Sequence, residues 1–268
     1  MNKRKILLLA STLLMVAVLA VGGTLAYFTD ADVAKNVFTI GNVQIDLKEN
    51  FVEESKLVPV TYDENGERKA DNVVNKDVFV TNTGSEEAYV RVHIAIPSIL
   101  DDGDPNFDAS ANILHFNAET ESYQDGFWNW GKAPADNDGL TGSAMVNGKN
   151  WNYYNAAIGG IAYNVYVVTY ESILTKDATT LGYAMSQVYM DKSVTNQDIT
   201  NIKNGWTDEA GVEHEGIGEK WNILVAAEGT QADGFANAFE ALNTAFGVPG
   251  TYTVEWAGGT YVDEDDPS

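Results

Sequence analysis

The residues able to do chemistry are few in kind. The chain has 268 residues, with three histidines, no cysteine and 39 aspartates and glutamates. The lack of cysteine excludes thiol catalysis, zinc–thiolate sites and thioether-bound haem. His93 lies in a run of alternating apolar residues, His115 in an acid-rich stretch, and His214 between Glu213 and Glu215. No HExxH helix motif brings two of them together, so the commonest zinc-protease constellation is missing. Serine elbows of the GxSxG type and GxxxxGK[ST] phosphate loops are missing as well. Carboxylates abound, but an acid/base pair needs a set separation and unlike environments, which abundance does not supply. No catalytic residue is assigned, and the chain is read as a non-enzyme.

The best ligand candidate is Asp101-Asp102-Gly103-Asp104-Pro105-Asn106-Phe107-Asp108. Asp102, Asp104, Asn106 and Asp108 alternate and offer the hard oxygen ligands that Ca²⁺ takes. This is not an EF-hand, because the sixth position counted from Asp102 is Phe107 and the twelfth is Ile113. The competing reading is an Asx-rich loop bonding its own backbone. Ca²⁺ is the single cofactor considered. Trp128, Trp130 and Trp151, with Tyr153 and Tyr154, could line a carbohydrate-binding surface; core packing is the reading adopted, because large aromatics dominate interiors.

The formal net charge is −23. Such a surface repels nucleic acid and anionic lipid, and neither is expected as a partner. Lys3, Arg4 and Lys5 precede an apolar run, Ile6 to Val21, and then Gly22-Gly23-Thr24-Leu25-Ala26. A basic start, a short apolar stretch and a small-residue exit make a secretory signal peptide. Cleavage is expected after Ala26, before Tyr27, or one residue on, before Phe28. Losing the three basic residues makes the mature chain still more acidic. No later run has membrane length, so no membrane association is expected after cleavage.

The elements that must position these residues are mostly strands. Val37 to Leu47 alternates, with a slip at Gly41-Asn42. Leu57 to Tyr62, Asp77 to Asn82, Ala88 to Ile96, Ala162 to Tyr170, Trp221 to Ala227 and Thr251 to Trp256 are further strand candidates. Thr83-Gly84-Ser85 is read as the turn of a hairpin between two of them. Two helices are expected. One lies near Ile199 to Trp206 with Thr195 or Asn196 at its cap. The other is capped by Asp233, has Phe235, Phe239, Leu242 and Phe246 on one face, and stops at Gly247. The layout is a signal peptide (1–27), an extended segment (28–36), a strand-rich domain (37–262) with a polar insertion (97–150), and an acidic tail (263–268). The fold class is mainly β: a jelly-roll-like antiparallel β-sandwich with a few helices.

Gly22-Gly23-Thr24-Leu25-Ala26-Tyr27-Phe28-Thr29-Asp30, then Asn36 to Val43 and Ile45-Asp46-Leu47, resemble the TasA and camelysin group of secreted proteins of Gram-positive bacteria. Val80 to Val92 resembles that group's next pair of strands, and Val225 to Phe235 a stretch near its C-terminus. The resemblance leaves Pro97 to Asn150 uncovered. It implies export with a SipW-type signal peptidase, a jelly-roll sandwich and a place at the cell surface or in the biofilm matrix. It also implies fibres in which one subunit's N-terminal strand completes a sheet of the next. The partners would then be further copies of the chain and other matrix components. Phe28 and Val33 are the anchors expected in that strand. A monomeric glycan-binding adhesin is the alternative, and a camelysin-like metalloprotease a weaker one, since no zinc motif is present.

Overall fold

The computed structural model describes residues 42–51, 57–66, 69, 72–101, 113–116, 128–130, 142–146 and 149–256. Ala26, Tyr27, Phe28 and Val33, and the Asp102, Asp104, Asn106 and Asp108 set, lie outside the described residues. Gly41–Ser268 forms one unit and Met1–Ile40 another; only the first contains described residues.

The described residues build two antiparallel sheets. The first has the order β1 (Ile45–Phe51), β2 (Val73–Asn82), β9 (Met185–Met190), β4 (Leu114–Phe116). The second runs β12 (Leu224–Gln231), β3 (Ala88–Pro97), β8 (Ile161–Leu174), β7 (Lys149–Ile158), β6 (Gly142–Val146), and β5 (Trp128–Asn129) pairs with β8. A small hairpin joins β10 (Trp206–Thr207) to β11 (Glu213–His214). The helices are α1 (Ser98–Asp101), α2 (Asn196–Asn204) and α3 (Ala238–Phe246). The chain is therefore mainly β with antiparallel sheets and few helices.

The alternation of the strands sets the layers, because successive side chains point to opposite faces. Val78 and Val80 of β2, Val90, Val92, Ile94 and Ile96 of β3, and Val188 and Met190 of β9 meet in one core. Trp128, Trp130, Phe116 and Tyr166 belong to that core, with Phe116 stacked on Trp130 at 5.4 Å. Trp128 and Trp130 are thus interior residues, 2% and 1% exposed, as the packing reading expected; the side chain of Trp151 lies outside what the structure describes. The opposite face of the second sheet carries its own apolar layer. Tyr89 packs with Ala238, Ala241 and Leu242 of α3, and Ala95, Tyr154, Tyr163, Val165 and Val167 cluster further along.

The expected hairpin at Thr83-Gly84-Ser85 is not what forms. β2 and β3 lie in different sheets, and the turn carries the chain from one to the other. The reason is β3 itself: it is buried on both faces and bonded along both edges, by β12 and β8. Asn82 holds the crossing. Its side-chain amide donates to the carbonyls of Glu86 (2.7 Å) and Leu174 (2.9 Å), and its oxygen accepts from the Gly84 N–H (2.9 Å). Gly84 has no room for a side chain, since a Cβ would sit 2.2 Å from the Asn42 carbonyl oxygen.

Two smaller expectations also shift. The second helix is capped by Asn237 rather than Asp233, its side chain accepting from the Glu240 N–H. Thr251 to Trp256 forms no strand but crosses the outer face of the second sheet, where Trp256 packs against the layer of Ala95 and Tyr154. Of the two cap residues expected for the first helix, Thr195 is the one used, forming a reciprocal capping box with Asp198; the helix starts at Asn196 and ends at Asn204, and Trp206 enters β10 instead.

Asn82→Leu strands two buried carbonyls and one N–H, and leaving a buried polar group unpaired costs about 1–3 kcal/mol. Urea denaturation is expected to place this variant several kcal/mol below the parent, with Gly84→Ala also destabilised by its backbone clash.

A buried charged cluster and an edge cleft as candidate functional sites

The outer face of β3 is polar at its centre. Tyr89, Arg91, His93 and Ala95 alternate onto it, and β12 sets Glu228 directly opposite Arg91. Arg91 Nε donates to Glu228 Oε2 at 2.6 Å. Its other nitrogens donate to Asn243 Oδ1 (2.8 Å), the Gly247 carbonyl (3.1 Å) and the Tyr252 hydroxyl (2.6 Å). Tyr252 in turn donates its proton to Glu228 at 2.8 Å. His93 lies 3.1 Å from Glu228 through Nε2 and 3.1 Å from the Tyr154 hydroxyl through Nδ1. One guanidinium thus ties β12, the last turn of α3 and the segment after it onto β3. The cation also sits where the carbonyl dipoles of α3 end, which favours positive charge.

Burial governs the protonation states. His93 is pushed below its ordinary value because a charged imidazole is stripped of water there, although Glu228 pulls the other way. Burial would raise the Glu228 carboxyl, but the His93 hydrogen bond and nearby positive charge outweigh it and hold the group well below the carboxylate range. With His93 neutral, that charge is Arg91's. Tyr154 and Tyr252 are both pushed up, burial first and Glu228 adding to it, so both stay protonated as donors. A Glu–His–Tyr set is a familiar acid/base grouping, yet here the side chains are spent on one another. His93 is 0% and Arg91 2% exposed at the side chain, so the cluster works as a latch.

The other histidines pair elsewhere. His115 on β4 meets Asp191 at 2.8 Å and stacks on Tyr189, with ring centroids 5.0 Å apart. His214 on β11 meets Asp208 at 3.2 Å and stacks on Trp206 at 4.4 Å. Asp101, at the head of the Asp-rich run, is buried and accepts from the Tyr166 hydroxyl (2.5 Å) and from Asn164 (3.0 Å). Nothing in the sequence had set this aspartate apart from its exposed-looking neighbours.

A second feature is open to solvent. A cleft of about 200 Å³ lies between β1 and β12 and is lined by Ile45, Leu47, Ala226, Ala227 and Glu255. β1 and β12 are the terminal strands of their sheets. The two strands meet where the Ile45 side chain packs onto Gly229: a Cβ there would be 2.8 Å from Ile45 Cγ2. Glu255 stands exposed on the rim and pairs with no described residue.

Residues 2–92 match the family model of the camelysin metallo-endopeptidases, in agreement with the resemblance read from the residues. The matched stretch runs through β1, β2 and the first half of β3. No curated protein and no solved structure matches the chain. A catalytic zinc takes three protein ligands. Among the described residues no three histidines or carboxylates gather to hold a metal, and each histidine is committed to a single carboxylate on a different element. The described residues therefore do not fit that ion.

Arg91→Met leaves the Glu228 carboxylate without its counter-ion, held by the Tyr252 and His93 hydrogen bonds alone, and breaking a buried pair in this way costs about 3–5 kcal/mol. Arg91→Met combined with Glu228→Leu is expected to recover much of that loss in urea denaturation. The His93 shift sets a pH dependence. Below pH about 6.5 the unfolded chain takes up a proton that the native imidazole resists, so stability falls as pH drops. His93→Gln is expected to flatten the fall in urea midpoint between pH 7 and 5.

Proposed function

We propose that this is an exported structural protein of the cell surface or biofilm matrix, and not an enzyme, whose copies join when the N-terminal segment of one adds a strand to the next. The observation that carries this reading is the cleft between β1 and β12. It is lined by four apolar side chains and one carboxylate and sits where two sheets each end in a strand with one edge unpaired among the described residues. Such an edge offers a row of backbone donors and acceptors, and a strand added to it gains main-chain bonds plus burial of alternate side chains. Head-to-tail addition that does not close on itself makes filaments. The family match supports it, because the matched residues begin in the leader and end in β3. The leader supports export, with cleavage by a SipW-type peptidase at Ala26 or Tyr27 freeing a segment that begins at Tyr27 or Phe28 and carries Phe28 and Val33 as anchors. Among the described residues no helix is long and apolar enough to cross a membrane.

The family's name favours one other reading, a metallo-endopeptidase. Purified mature chain that carries stoichiometric zinc and cuts casein in a chelator-sensitive way would establish it over the structural role.

The direct test is electron microscopy of the mature protein with and without residues 28–36. Filaments are expected from the intact chain and none from the deletion, whose circular dichroism and urea midpoint stay unchanged. Filaments that persist after the deletion would refute strand exchange.

A further inference from the structure

We infer that the edge cleft selects its incoming strand by charge: Glu255 pairs with Lys35 of a second copy, which fixes the register with Val33 against Ile45, Leu47, Ala226 and Ala227. This rests on the strand-exchange reading and specifies the contact within it. The copies are strongly acidic, with 39 acidic residues against 16 basic, so two of them repel at long range and docking gains from a specific attraction. The segment that joins the described domain at Asn42 holds one cation: Lys35 is the only basic residue between Lys5 and Lys48. The cleft presents one carboxylate, Glu255, exposed and with no partner among the described residues. An extended strand places residues two apart on one face, about 7 Å from each other. Ala31, Val33 and Lys35 therefore share a face, small and apolar residues followed by a charge, while Phe28, of the other parity, would anchor on the opposite face. The cleft sets one carboxylate, Glu255, beside four apolar side chains, Ile45, Leu47, Ala226 and Ala227.

The occupant proposed is a second copy. A tight hairpin turned at Gly41-Asn42 would set Phe38 opposite Ile45 and Asn36 opposite Leu47. Residues opposite each other share a face, so Val33 and Lys35, of the other parity, would point away from the cleft. A one-residue slip turns every side chain over, so the same strand cannot satisfy both arrangements.

The experiment is a charge swap in the full mature chain. Lys35→Glu, Glu255→Lys and the double variant are compared by sedimentation and electron microscopy at low salt. Urea midpoints of the soluble forms check that the fold is intact. Each single variant juxtaposes like charges and is expected to raise the critical concentration for filaments at least about fivefold. The double variant is expected to return to within about twofold of the parent, and 1 M salt to narrow all the differences. Single variants that assemble like the parent, or a double variant no better than the worse single, overturn the pairing. If deletion of residues 28–36 still abolishes filaments in those cases, strand exchange itself stands and only the register contact has failed. A mature chain that forms no filaments at any concentration overturns both.

Discussion

The fold turns on one strand that has no exposed side. β3 lies between β12 and β8 and is covered above and below. Its inner face is aliphatic and joins the core between the sheets. Its outer face carries an arginine and a histidine, and burying these is tolerable only if their donors are met. Everything stacked on that side answers the requirement. Glu228 is supplied by the neighbouring strand, Asn243 and the Gly247 carbonyl by the end of α3, and two hydroxyls by Tyr154 and Tyr252. Without Arg91, α3 would lose its polar tie to β3, and the segment after it would keep the Tyr252–Glu228 hydrogen bond and the apolar contacts with Ala95 and Tyr154.

That arrangement explains why the first sheet and the second meet as they do. β2 cannot pair with β3, since both of β3's edges are taken. The chain must leave one sheet and enter the other within five residues, which Asn82 and Gly84 make possible by bonding and by absence of bulk. The crossing leaves β1 and β12 as facing outer strands, and the cleft is the gap between them. The buried latch and the open cleft share β12: Glu228 faces the one, Ala226 and Ala227 line the other.

Much of this was legible in the residues. The strand alternation of β2, β3 and β8 came through because each has one face in the main core and a period of two. The α2 cap was visible because capping is local, a threonine three residues before an aspartate. What failed to show was non-local. A polar turn between two alternating runs reads as a hairpin, and only the double burial of β3 overrules it. Asn237 took the cap from Asp233 because packing of Ala238, Ala241 and Leu242 against Tyr89 decides where α3 begins. The latch was invisible because its members are single residues scattered over β3, β7, β12 and the stretch beyond α3. His93 was noted as one of three histidines, but no spacing rule links it to Glu228.

The separation of the latch residues has a kinetic consequence. Arg91 and Tyr252 are 161 positions apart, and Arg91 and Asn243 are 152 apart. The entropy of closing such a loop must be met before the contact returns anything, and contacts of this span slow folding. A nascent chain that has emerged only to α3 holds the Arg91–Glu228 pair but lacks the Gly247 carbonyl and the Tyr252 hydroxyl that complete the outer layer. The outer layer is therefore among the last parts of the sheet pair to close, after the residues that follow α3 are in place.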